Sequence, residues 1–73
     1  MKVKDLVDVV NCEVIIEREV VTQDIAQGKS RFISFTCTRF FKGVLDNCPE
    51  DILEYHVNYL LPEFEDVLTI RIL

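Results

Sequence analysis

The feature that most limits how this 73-residue chain can fold is a change of hydrophobic period at Cys12. Before it, Val3, Leu6, Val7 and Val10 stand at i, i+3, i+4 and i+7, one face of a helix. Lys2, Lys4, Asp5 and Asp8 fall on the other side. After it, Cys12, Val14, Ile16 and Val20 share one parity and Glu13, Glu17 and Glu19 the other, the pattern of a half-buried strand. A helix of about two turns cannot stand alone in water, so it must lie on the sheet that this strand begins. Arg18 breaks the buried parity and is expected at the sheet's rim.

The rest of the chain extends the same plan. Residues 22–30 are polar and contain Gly28, as a hairpin loop would. Residues 31–41 are rich in Phe, Ile and Thr and form the strongest strand signal. Ile33, Phe35, Cys37 and Phe41 share its more apolar parity, so they are assigned to the core. Arg39 sits on that parity too. Phe41 then points in and its neighbour Phe40 points out, unless a bulge near Arg39 resets the register.

Pro49, Glu50 and Asp51 suit the first turn of a short helix, with Ile52 and Leu53 turned inward. A third strand is expected over residues 56–61, stopped by Pro62 at an edge. A fourth covers 67–73, with Leu68, Ile70 and Ile72 on the core side. The fold expected is a single small α+β domain over residues 1–73. It has an antiparallel sheet of about four strands, the first helix on one face, and a short helix between strands two and three.

Size scaling predicts about 4,600 Å² of folded surface, with about three-fifths of the open chain's surface buried. Half the residues (49%) are hydrophobic, which argues against disorder. A chain this small and this apolar must pack a tight core or bury the surplus against a partner. The net charge is −5, which disfavours non-specific binding to nucleic acid or an anionic membrane. Residues 1–42 carry seven basic groups and six acidic ones; residues 43–73 carry Arg71 alone against seven acidic groups. The three cysteines have no paired spacing, no leader-like apolar segment precedes them, and no apolar run is long enough to span a bilayer. A reducing cytoplasm with free thiols is the expected setting.

If the helix covers one sheet face, the other carries Ile15, Val21, Phe32, Phe40, Leu60, Val67 and Leu73 among Glu, Thr and Ser. Either the sheet curls over part of this set, or the set is an interface to a protein partner or a second copy. Aromatic residues favour the interface, since they bury large area at small entropic cost. Phe32, Phe40 and Ile15 are therefore the candidate partner-binding residues. Asp46, Glu50, Asp51 and Glu54 are the candidate acidic steering group, which selects a basic groove and speeds encounter with it.

The chemistry-bearing residues point elsewhere. Cys12, Cys37, Cys48 and His56 reach the count of a zinc site but lack any close pair, and two of the thiols fall on expected core parities. Cys48 and His56 have no orienting group or oxyanion hole to make them a nucleophilic pair. The only glycines, Gly28 and Gly43, form no phosphate loop. No catalytic residue, metal or cofactor is expected, and the chain reads as non-enzymatic. Lys29, Arg31, Phe32, Arg39, Phe40 and Lys42 could form a single-strand nucleic-acid track. Glu13, Glu17 and Glu19 on the neighbouring strand more simply neutralise those cations.

The layout as a whole resembles a known group. "MKVKDLVDVV" opens the chain; "FKG", "CPEDILEYHVNYL" and a terminal "EDVLTIRIL" follow. In pattern this is similar to the small accessory proteins of phages and prophages of Gram-positive gut bacteria. That resemblance implies work inside an infected bacterium, among genes that include anti-CRISPR and other anti-defence inhibitors. The function expected is then occlusion of a host protein such as a CRISPR effector nuclease. The alternatives are a homodimeric accessory protein and a single-strand nucleic-acid binder.

Overall fold

The computed structural model describes residues 1–25, 31–64 and 66–73, and the side chains among them outside 21–35, 63 and 64. It shows a small α+β domain built on a four-stranded mixed sheet. The strands are β1 (Glu13–Ile25), β2 (Arg31–Val44), β3 (Val57–Phe64) and β4 (Val67–Ile72), in the spatial order β2-β1-β4-β3. A 3₁₀ turn (Val3–Leu6) precedes the sheet. A second 3₁₀ turn (Leu45–Asn47) and the one-turn helix α1 (Glu50–Leu53) link β2 to β3.

The sheet is not wholly antiparallel. The hairpin pairs β1–β2 and β3–β4 are antiparallel, but the two central strands β1 and β4 run parallel, with Val14 opposite Leu68 and Ile16 opposite Ile70. The connection through α1 carries the chain to the far edge before β3 turns back. The β3–β4 hairpin then sets β4 beside β1 in the same direction.

The expected alternation holds where the strands are central. Val14, Ile16, Ile70 and Ile72 are buried on one face. Val3 and Leu6 from the first 3₁₀ turn pack there with Leu45, Cys48 and Ile52 from the connection, making one core. The N-terminal helix is shorter and tighter than its spacing predicts. Its 3₁₀ period of three puts Val3 and Leu6 on the same side, and Val7 and Val10 follow in turns at the core's margin. The Lys2 N–H donates to Asp5 Oδ2 at 2.9 Å, half of a capping box. Backbone bonds fasten this segment to the sheet end: Val3 N–H to the Tyr55 carbonyl (2.9 Å) and Val57 N–H to the Met1 carbonyl (2.8 Å).

The two adjacent phenylalanines are resolved by a bulge. Ile16 pairs with Phe41 and Glu17 with Arg39, so Phe40 is the extra residue. The register resets there, and both rings turn to the core side. The Phe41 ring lies over Gly43, whose φ is +149°; a Cβ at that glycine would stand 3.2 Å from Phe41 Cζ. Phe40 packs edge-on against Tyr55, ring centroids 5.7 Å apart at 73°. Beyond the bulge, Cys37 and Arg39 face away from the core. Cys37 is exposed opposite Glu19, which corrects its assignment to the core and removes the difficulty that Arg39 posed.

β1 continues to Ile25, past the expected loop start, and β3 runs through Pro62 on the sheet's edge. β1 pairs with β4 only as far as Arg18 but with β2 as far as Ile25, so residues 19–25 and their partners project as a two-stranded arm. The molecule measures 51 × 26 × 17 Å with a radius of gyration of 15.0 Å. A compact chain of this length would have one of about 11 Å.

Candidate protein-binding face

All the helical turns contribute to one core, so among the described residues no element lies over the opposite face of the sheet. We call this the open face. It is built from Glu13, Ile15, Glu17 and Glu19 of β1, Thr69 and Arg71 of β4, Tyr59 and Leu61 of β3, and Lys42 and Arg39 of β2. At its centre Ile15 is 6% exposed and Thr69 is 0%.

Beside that centre lies a charged network. Arg71 Nε is 3.0 Å from Glu17 Oε2, and Arg71 Nη1 is 3.4 Å from Glu19 Oε2. The Tyr59 hydroxyl donates to Glu19 Oε2 at 2.9 Å and accepts from Arg71 Nη1 at 3.3 Å. Its hydrogen bond to Glu19 holds the Tyr59 phenol above its usual pKa, since the neutral hydroxyl is the donor. Arg39 approaches Glu17 more loosely, at 4.0 Å. Register explains the convergence: Glu17 stands directly opposite Arg39 on one side and Arg71 on the other.

Arg71 is the hub, so Arg71→Met is expected to lower stability by about 1–2 kcal/mol. The network lies between an exposed pair, about 1 kcal/mol or less, and a buried one, about 3–5. Urea unfolding of Arg71→Met, Glu17→Gln and the double variant checks this. The double variant should lose less than the two single losses together.

The rim of the open face is mixed: Tyr59 and Leu61 are each 39% exposed and Val44 is 43%, beside the exposed charges of Glu13, Arg39 and Lys42. Tyr59 was not among the residues the sequence singled out. Its only sequence signal was its place two residues before Leu61 on a strand that carries Pro62.

The expected site residues do not gather in one patch. Ile15 is on the open face but buried. Phe40 is half-buried on the core side, so the expectation that it faces outward is corrected; the bulge is the cause. Phe32 occupies β2 opposite Asp24, and its side chain lies outside the described residues. Asp46, Glu50, Asp51 and Glu54 are exposed on the connection between β2 and β3, whose inward residues belong to the core face. Glu54 is taken up by two lysines: Lys2 Nζ at 2.8 Å and Lys4 Nζ at 3.2 Å. Those hydrogen bonds hold its carboxyl below the usual range and raise Lys2 above its own.

Among the described residues, no group of three or more His, Cys, Asp or Glu side chains could hold a metal ion. Cys48 is buried; burial, with Asp51 adding to it, pushes its thiol up. His56 lies at the sheet's end, where its backbone bridges to Lys2 and its carbonyl accepts from Leu73 N–H at 3.0 Å. Among the described residues, no helix is long and apolar enough to cross a membrane. No family model matches the chain, and no curated protein or solved structure matches it.

Proposed function

We propose that this domain works by binding another protein through the open face of its sheet. The observation that carries the reading is the uncovered face itself. Its centre is buried, and Tyr59 and Leu61 expose apolar surface beside a fixed polar network. Exposed Tyr59 and Leu61 beside a Tyr–Arg–Glu cluster are residue types found in binding surfaces, where aromatic and arginine anchors supply most of the affinity. Following the phage accessory proteins that the layout resembles, the partner we propose is a host defence nuclease, inhibited by occlusion.

The test is DNA cleavage by a panel of purified CRISPR effector nucleases, with and without the domain. Inhibition by the wild type is expected, weakened at least tenfold by Tyr59→Ser combined with Leu61→Ser. A wild type that inhibits no effector removes the inhibitor reading. Inhibition that the double variant leaves untouched removes the open face as its cause.

A further inference from the structure

The four-stranded part of the sheet ends in two unequal edges. β3 is short, eight residues, and carries Pro62 and two breaks in register, devices that stop another strand from adding. β2 has fourteen residues, no proline and one bulge, at Phe40. On its outer stretch Thr36, Cys37, Thr38 and Arg39 are all exposed, and no strand among the described residues pairs with that edge. A long edge of this kind presents unpaired N–H and carbonyl groups to whatever strand can match it.

We propose that the occupant is the same edge of a second copy, paired antiparallel about a two-fold axis at Cys37 to make a continuous eight-stranded sheet. Charge and paired length together choose the axis. An axis perpendicular to the sheet keeps side chains on their own faces, so it must pass through a residue. Centred on Phe35, it sets Arg31 directly opposite Arg39. Centred on Ser34 or Thr36, it sets them diagonally, and on Thr38 it sets Arg39 diagonal to its own copy. Like charges so placed oppose pairing. Centred on Ile33 or Cys37, the arginines separate, but the Ile33 axis pairs only residues 31–35 of β2 whereas the Cys37 axis uses nearly the whole strand. With Cys37 at the centre, Arg39 falls opposite Phe35, and Thr36 of each copy meets Thr38 of the other. Threonine pairs across strands are favourable. The arrangement is isologous, so every contact occurs twice and the assembly closes at two. The open face, with Tyr59 and Leu61, stays free.

The register brings the two Cys37 residues face to face. Opposed Cα atoms in an antiparallel pair are about 4.5–5.5 Å apart, inside the range a disulfide spans. Cys37 is exposed, whereas Cys48 is buried with its thiol held up by burial and Asp51. Mild oxidation with diamide, which takes up the two electrons and two protons, should therefore give a covalent dimer. Cys37→Ser should abolish it and Cys12→Ser should not.

Sedimentation equilibrium from micromolar to millimolar protein should show a reversible shift from 8.5 kDa to twice that mass. Thr36→Lys with Thr38→Lys sets lysine against lysine at both pairs and should weaken association at least tenfold. Thr36→Lys with Thr38→Glu sets lysine against glutamate and should restore it. A chain that stays monomeric throughout overturns the proposal. So does a dimer that never crosslinks at Cys37, or one indifferent to the two-lysine variant.

Discussion

Ile16→Ala should be the most damaging single substitution, lowering the unfolding free energy by about 3–4 kcal/mol. Ile16 is fully buried in a central strand, between Phe41 of β2 and Ile70 of β4, and packs in the core with Val3, Leu6 and Leu45. Truncation removes three carbons from a place walled on both sides by strands and roofed by the helical turns. The gap cannot close without moving one of them. A chain of this length has about 4–11 kcal/mol of stability in all. The loss is thus about a quarter or more of the total and lowers Tm by roughly 15–25 °C. The sharper test is the comparison with Ile15→Ala. Ile15 is almost as buried but lies outside the core cluster, on the face that no helical turn roofs among the described residues, where neighbours can settle into the space; about 1–2 kcal/mol is expected. Thermal and urea unfolding of both variants measures the difference. An Ile15→Ala loss equal to or larger than that of Ile16→Ala would mean that the core lies on the other side of the sheet.

How much of this could be read from the sequence depends on the kind of information each feature leaves there. Alternation records which face a side chain takes, so Val14, Ile16, Leu68, Ile70 and Ile72 were legible as core residues. It does not record which strand lies alongside. The parallel pairing of β1 with β4 therefore left no trace, and four strands in sequence read as a simple antiparallel sheet. The bulge at Phe40 left one trace, Arg39 on the buried parity of β2. That misfit marks where the register shifts, and it carries Cys37 out of the core with it. The first helix was legible by position but not by type, because Val3 and Leu6 satisfy three- and four-residue periods alike. In the candidate site, the exposure of Asp46, Glu50 and Asp51 was legible from local composition. The neutralisation of Glu54 by Lys2 and Lys4 was not, because it depends on the N-terminal segment lying against α1. Nor was the network around Arg71, whose partners Glu17 and Glu19 come from a strand at the other end of the chain.

Phe40→Ser is expected to cost about 2–3 kcal/mol of stability, although the alternation of β2 taken alone makes Phe40 a surface residue. Three contributions add. The edge-on contact with Tyr55 is of a type worth about 0.5–1.5 kcal/mol beyond the area it buries. The Arg18 guanidinium stands 5.2 Å from the Phe40 ring centroid and 5.6 Å from that of Tyr55, a cation–π arrangement worth about 0.5–1 kcal/mol where it is partly exposed. Loss of half-buried apolar area adds about 1 kcal/mol. Arg18 also donates from Nε to the Leu73 carbonyl at 3.0 Å, so loss of the ring loosens a residue that ties down the end of β4. Phe40→Leu separates the causes: it keeps much of the apolar area, loses the ring, and should give about half the effect. Urea unfolding of the two variants measures both. If Phe40→Ser is as stable as the wild type, the ring contributes nothing to the fold, and its place is on the outer surface against a partner.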